Sequence, residues 1–363
     1  MKNLLFVLGL LGLGQVMASS VIQNHQGRLE KKPIHLRGLY TRTQITEATS
    51  AELRVIGELS NFCTGTLVSS KHVLTAAHCV FSQDRLEWQN NLDFIPGKVD
   101  STKIPFGRYE WKRVYAPIEF INGSKDVTYD YAIVELDEPI GNELGWAGAR
   151  SVEDKEFINK VRMTGYPGDK LKGTLWTVTC PAEVQENKIV YLCDTFAGMS
   201  GSGLFSIDPN NEDEVYIVGI HSYGGIDSNG GVSLNNERMK IIKSWMNGEL
   251  VPGTIQHENT ELYSYHKLYA KNNCKQTISS YFSLFDYNRG IWTSVGEVTL
   301  IPGMRSLIGR TPNTFYYLWG ESYEKNWTGV NFIQTSSGSF PMMESRIISG
   351  NWGDWTHHFN CQI

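Results

Sequence analysis

The sequence predicts an all-β fold in two blocks, with one helix closing the first block. Three observations carry this. From about residue 40 to 223, short runs rich in β-branched and aromatic residues are broken by Gly, Asn, Asp and Pro. Met239, Ile242, Trp245 and Met246 then recur at helical spacing, with Asn235 or Asn236 placed to cap the helix. After an interval holding Gly248, Pro252 and Gly253, the last hundred residues restart as strands rich in Tyr, Phe and Trp. A length of 363 residues suits two domains.

In chain order, residues 1–18 read as a signal peptide. Lys2 precedes an apolar run from Leu4 to Leu13 and the small-residue site Val16-Met17-Ala18-Ser19. The run is too short for a permanent bilayer span, so a secreted protein without a membrane anchor is expected, periplasmic if the source has two membranes. Residues 19–37, with Arg28, Lys31, Lys32 and Arg37, read as a propeptide or linker, which makes a zymogen the expected precursor. The first folded domain is expected over 38–247, with strands at 52–59, 64–68, 131–135, 161–165, 189–192 and 214–220. A linker follows at 248–262 and an aromatic-rich β module at 263–363.

The net charge of −5 argues against nucleic acid as a partner, because phosphate neutralisation needs clustered Lys and Arg. The six cysteines suit an oxidising compartment. Nearest-neighbour pairing is expected, Cys63–Cys79, Cys180–Cys193 and Cys274–Cys361, because each pair brackets a hairpin, a loop or a whole module; other pairings remain open from sequence alone. No cysteine lies in a C-x-x-C and no Cys/His set has ligand spacing, so neither a metal nor another cofactor is expected.

Three segments carry chemistry: Leu74-Thr75-Ala76-Ala77-His78-Cys79, Asp130-Tyr131-Ala132-Ile133-Val134-Glu135-Leu136, and Gly198-Met199-Ser200-Gly201-Ser202-Gly203. A serine hydroxyl needs a base beside it to act as a nucleophile. Imidazole can take that proton and return it to the leaving group. A buried carboxylate then fixes the imidazole tautomer. Gly198 lets the backbone turn so that the Gly198 and Ser200 N–H groups face a developing oxyanion. His78, Asp130 and Ser200 are therefore the candidate triad. Asp126 is the nearest substitute for Asp130, Ser202 the rival nucleophile, and His72 reads as surface or strand filler.

With these segments in the order His, Asp, Ser, residues about 40–247 resemble a trypsin-fold serine protease. The resemblance implies a double β-barrel with a C-terminal helix, a bridge Cys63–Cys79 around the histidine, and protein or peptide substrates. Gly165-Tyr166-Pro167-Gly168-Asp169-Lys170, Gly173-Thr174-Leu175-Trp176, Asp194-Thr195, Ile45-Thr46 and Gly219-Ile220-His221 narrow it to the bacterial glutamyl endopeptidase (V8-like) branch. That branch commonly ends its motif Ser-Gly-Ser-Pro, where this chain has Ser200-Gly201-Ser202-Gly203, a departure touching strand geometry and not the reaction.

Two features of the primary pocket disagree. Asp194, six residues before Ser200, would lie at the pocket floor in a trypsin fold and attract Lys or Arg. Thr195 and His221 argue for a substrate carboxylate, held by a hydroxyl and a protonatable imidazole. The resemblance favours the second reading and a preference for Glu, or Asp, with Ser222-Tyr223-Gly224-Gly225 as the substrate-binding strand. The alternatives are trypsin-like Lys/Arg specificity through Asp194 and a catalytically inactive binding or adhesion protein. Met199 before the serine cannot pair with a new N-terminal ammonium; the resemblance places the freed N-terminus near the substrate carboxylate. The C-terminal aromatics, among them Trp292, Tyr316, Tyr317, Trp319 and Trp327, make that module a candidate face for a protein or carbohydrate, or simply a core.

Overall fold

The computed structural model describes residues 40–361 apart from 102, 209–210, 212–213, 226, 261–265, 287–290, 312, 336 and 348–353, together with a short antiparallel pair, Ile22–Gln23 with Leu29–Glu30. The predicted signal peptide and most of the predicted propeptide lie outside the described residues.

The chain is all-β as expected, and its first two sheets are seven-stranded and antiparallel. The first runs Thr254–Glu258, Trp111–Pro117, Ala132–Leu136, His72–Thr75, Thr64–Leu67, Ile56–Leu59, Phe94–Pro96. It closes into a barrel where Phe94 and Tyr109 exchange backbone hydrogen bonds of 2.8 and 2.9 Å, Tyr109 lying just before the strand Trp111–Pro117. The second sheet runs Phe157–Gly165, Gly203–Ile207, Val215–Gly224, Asn229–Ser233, Lys188–Tyr191, Leu175–Gln185, and closes because the first and last of these also pair. Thr43–Ile45 adds an edge strand on Leu175–Thr177. Alternation drives this sheet: in Leu175–Gln185, Val178, Cys180, Ala182 and Val184 are buried between exposed neighbours.

The helix Asn236–Met246 is capped by Asn235, whose side chain accepts from Arg238 N at 2.9 Å. Its Trp245 is fully buried and stacks on Tyr131 at 5.4 Å and Tyr115 at 6.1 Å, both from the first barrel.

The segment read as a linker is not one throughout. Thr254–Glu258 pairs along its whole length with Arg113–Pro117, and His257 stacks on Trp88 at 4.8 Å. The β module beyond it is a sandwich. One sheet carries Ile291–Leu300, Ile278–Asp286, Phe315–Glu321, Gly338–Arg346 and Asn331–Thr335; the other carries Arg305–Thr311, His266–Asn272 and Asp354–Phe359. Leu268, Ile308 and Phe359 from the second meet Ile278, Phe282, Val298 and Leu318 from the first in one core. This module is docked on the first barrel. Lys103–Ile104 adds a parallel strand to Ile291–Leu300, and Ser306 Oγ lies 2.9 Å from Tyr109 Oη and donates to Phe106 O at 2.8 Å.

All three nearest-neighbour disulfides are present, with Cα–Cα distances of 6.0, 5.5 and 5.3 Å for Cys63–Cys79, Cys180–Cys193 and Cys274–Cys361. These fall within the span a disulfide bridges.

Candidate active site

His78 follows the strand His72–Thr75 in a short 3₁₀ turn, Ala77–Cys79, tied down by the Cys63–Cys79 bridge. Asp130 ends the 3₁₀ turn Val127–Tyr129, which the nine-tenths buried Arg238 holds from the helix by donating to Thr128 O at 3.0 Å. Both Asp130 oxygens serve His78: Oδ1 accepts the backbone N–H at 2.8 Å and Oδ2 meets Nδ1 at 2.7 Å. The Ser222 hydroxyl also donates to Oδ2. Burial alone would lower the His78 pKa, but the Asp130 charge and hydrogen bond outweigh it and hold the imidazole above its ordinary value. Burial likewise pushes Asp130 up, yet His78, Ser222 and the backbone N–H bring it below the usual carboxylate range. Asp130 is thus held ionised, ready to fix the tautomer.

Ser200 sits in the turn between the barrels. Its carbonyl accepts from Thr64 N of the first barrel at 2.9 Å, and Cys79 Sγ lies 3.7 Å from the same oxygen. The next residue, Gly201, donates to His221 O of the second barrel at 2.9 Å. Two glycines make this turn possible. Gly198 has φ +98°, and a Cβ there would meet Tyr166 O at 2.3 Å. Gly201 has φ +84°, and a Cβ there would meet Thr75 Oγ1 at 2.1 Å. Gly168 N donates to Ala197 O at 2.7 Å, which anchors the turn to the loop after Tyr166.

The rival residues are placed away from these contacts. Ser202 is fully buried. Asp126 caps its turn by accepting from Thr128 N at 2.9 Å. His72 is a buried strand residue with Nδ1 2.6 Å from Ser69 Oγ, and burial pushes its pKa down to about 4. Met199 is fully buried.

Around the expected pocket, the Asp194 carboxylate is already occupied: Arg42 Nε donates to it at 2.9 Å, while Nη1 and Nη2 bind Asp169 at 2.7 and 2.8 Å. Thr195 lies across from Gly224, where a Cβ would stand 3.7 Å from its hydroxyl. Tyr223 packs over Gly230, leaving no room there for a side chain. His221 departs from the expectation of a protonatable imidazole. It is buried, its Nδ1 lies 2.5 Å from Tyr191 Oη, it has a backbone hydrogen bond with Gly230, and burial lowers its pKa to about 4. Its ring is therefore neutral at ordinary pH. Ser222, placed by sequence among substrate-binding residues, turns its hydroxyl to Asp130 instead.

Sequence reasoning missed Arg42 and Asn229. Buried Asn229 donates to Cys193 O at 2.6 Å and accepts from Gly225 N at 3.1 Å, joining the segment before Asp194 to the loop after Gly224. Neither carries a local motif; only the fold brings their partners near.

Among the described residues, Cys63, His78 and Cys79 group closely enough to suggest metal ligation. Both sulfurs are joined in a disulfide, so no thiolate is free and the set does not fit a metal.

The chain is similar to known proteases over the two barrels. A Bacillus licheniformis protein named glutamyl endopeptidase is 32% identical over 215 residues, covering 57% of this chain and 67% of its own. A Bacillus subtilis protein named extracellular metalloprotease is 31% identical over 250 residues, covering 64% of this chain and 78% of its own. A solved Glu endopeptidase superposes with a TM-score of 0.51 at 27% identity, over 58% of this chain and 98% of that one. The trypsin family model matches residues 40–246, and the chain belongs to the trypsin family.

Proposed function

We propose that this trypsin-family serine protease is a secreted endopeptidase that cleaves after Glu through His78, Asp130 and Ser200. The observation that carries the chemistry is the pair of hydrogen bonds that Asp130 accepts from His78, from the backbone N–H at 2.8 Å and from Nδ1 at 2.7 Å. With Nδ1–H directed at Asp130, Nε2 is left as the base. His78 takes the Ser200 proton as the hydroxyl attacks the scissile carbonyl. The Gly198 and Ser200 N–H groups receive the oxyanion. The same proton passes to the leaving amine as the C–N bond breaks; water then attacks the acyl carbonyl while His78 takes its proton, and His78 returns that proton to Ser200 Oγ as the Oγ–acyl bond breaks. Secretion is supported by the charged start and apolar run at the N-terminus and by the three disulfides. No helix among the described residues is long and apolar enough to cross a membrane.

A preference for Glu is supported by the engagement of Asp194 Oδ2 with Arg42, which gives that carboxylate a cation of the protein's own and weakens its pull on a cationic side chain. The Thr195 hydroxyl and the neutral His221 ring are the donors proposed for the substrate carboxylate, the ring exchanging its hydrogen bond to the Gly230 backbone for one to the substrate. Labelling with a serine-directed fluorophosphonate tests the chemistry. The reagent should mark Ser200, and Ser200→Ala should lose labelling together with several powers of ten in peptidase rate. Label on Ser202, or full activity in Ser200→Ala, would overturn the assignment.

A further inference from the structure

We infer that Arg42 is a specificity-determining positioning residue: it masks Asp194 and so withholds the pocket from Lys and Arg side chains. This rests on the pocket assignment made above. Arg42 stands three residues before the end of the edge strand Thr43–Ile45, which pairs with Leu175–Thr177 of the second barrel. Its side chain is 3% exposed, whereas its partners Asp169 and Asp194 are 21% and 16% exposed. An unpaired guanidinium could not remain there, so the three groups form one unit. All three of its nitrogens are spent on the two carboxylates, at 2.7–2.9 Å. The backbone repeats the link, because Asp194 N donates to Tyr40 O at 3.2 Å.

The unit reaches from the pocket to the catalytic turn. Asp169 follows Gly168, whose N–H holds Ala197 O, and Ala197 precedes Gly198. One side chain from the start of the protease domain therefore ties the pocket floor to the loop under the oxyanion turn. Without Arg42, two carboxylates would face each other with no cation between them. The pocket would become strongly anionic, which favours a cationic substrate and opposes Glu.

The test uses the mature full chain and matched peptides with Glu, Gln or Lys before the scissile bond, with rates normalised to fluorophosphonate titre. In Arg42→Gln, kcat/KM for Lys relative to Gln should rise about tenfold or more. Adding Asp194→Asn to that variant should reverse the rise, because the unmasked charge is gone. A general loosening of the fold would lower all three rates together and would not respond to the second change. Arg42→Lys keeps the charge but not the fork, and should show a smaller rise in the same ratio. It supplies the reading if Arg42→Gln yields no titratable enzyme. An unchanged Lys/Gln ratio in a titratable variant, or a rise that survives Asp194→Asn, overturns the inference. The wild-type Glu/Gln ratio separately tests the glutamyl reading: its failure with a reversible Lys gain in Arg42→Gln would leave the masking role standing.

Discussion

Glu110, which enters the first barrel, and Lys267, on the first described strand of the β module, form a buried ion pair at 3.1 Å, with side chains 1% and 4% exposed. The pair extends outward. Lys267 also reaches Asp137 at 2.7 Å, Arg310 binds Glu110, and Arg305 binds Glu138 at 2.6 Å. Each of these links joins a cation of the module to an acid of the protease barrel. With the shared strand at Lys103–Ile104 and the barrel strand Thr254–Glu258, they make the module a built-in part of the protease and not a tethered appendage.

Removing one partner of such a pair leaves an uncompensated buried charge. Lys267→Ala should therefore destabilise the protein by about 3 kcal/mol, the lower end of the range for a broken buried pair because Arg310 still holds Glu110. Urea unfolding followed by tryptophan fluorescence and by peptidase activity should give one coincident transition, shifted to lower urea. A variant as stable as the wild type would show that the interface charges contribute little.

The second expectation concerns pH. In the proposed mechanism His78 must be neutral to accept the Ser200 proton, and Asp130 holds its pKa above the ordinary 6.5. kcat/KM should thus rise with pH through an inflection above that value. In Asp130→Asn the supporting charge is lost, so the inflection should move to lower pH and the plateau should fall by about 10⁴. A pH-rate profile from about pH 5 to 9 measures both. An inflection in wild type below 6.5 would contradict the pairing.

Much of this site was legible because its chemistry is local. Thr75-Ala76-Ala77-His78-Cys79 and Gly198-Met199-Ser200-Gly201 each place a reactive group, its turn and its glycine within a few residues. Strands were readable where apolar residues alternate or run together, as at Ala132–Leu136. Asn229-Gly230-Gly231-Val232-Ser233 was not, because its glycines look like a turn. In the fold they permit close strand approach: a Cβ on Gly231 would meet Ile220 O at 1.9 Å. Arg42 and Lys267 were invisible for another reason. Their partners lie more than a hundred positions away in sequence, as Asp169, Asp194 and Asp137. A charge with no nearby complement reads as a solvated residue until the fold supplies the partner. His221 was read as protonatable for the same reason, since nothing local reveals its burial against Tyr191.

Acid should weaken the fold through two buried histidines, His72 and His221, and the half-buried His357. His72, His221 and His357 each place Nδ1 within 2.5–2.8 Å of a hydroxyl, from Ser69, Tyr191 and Tyr316 respectively. Burial lowers each to about 4. The folded value lies below the unfolded one, so between about 6.5 and 4 the unfolded chain binds more protons. Their contribution is full above pH 6.5 and is lost as pH falls through that window, at most about 3 kcal/mol each. Glu138, raised to about 7 by burial, acts in the opposite sense over part of the window, so the test is a difference. His357→Gln should flatten the fall in stability between pH 7 and 4.5 relative to wild type, read by urea unfolding. Parallel pH dependences would refute the assignment for that residue.

Selectivity between Glu and Gln gives the sharpest check on the pocket, because the two side chains share a shape and differ in charge. The free His221 ring has a pKa of about 4 and is neutral near physiological pH. As kcat/KM reports the free enzyme and free substrate, the Glu/Gln ratio should stay level from about pH 6 to 9, where Glu is ionised and the ring is not protonated. A pocket relying on a charged imidazole would instead lose its Glu preference as pH rises through neutrality. The level ratio therefore distinguishes a neutral N–H donor from an ion pair. His221→Ala should lower the ratio by about 1–3 kcal/mol, the loss of one hydrogen bond to a charged group. The buried Tyr191 hydroxyl faces Nδ1, so it leaves the proton for the opposite nitrogen when it donates. Tyr191→Phe removes that bias and should lower the ratio by a smaller factor, with the rate after Gln less affected. A ratio that His221→Ala leaves intact would assign the carboxylate to Thr195 alone, and a wild-type preference for Lys over Glu would mean that Asp194 is not masked.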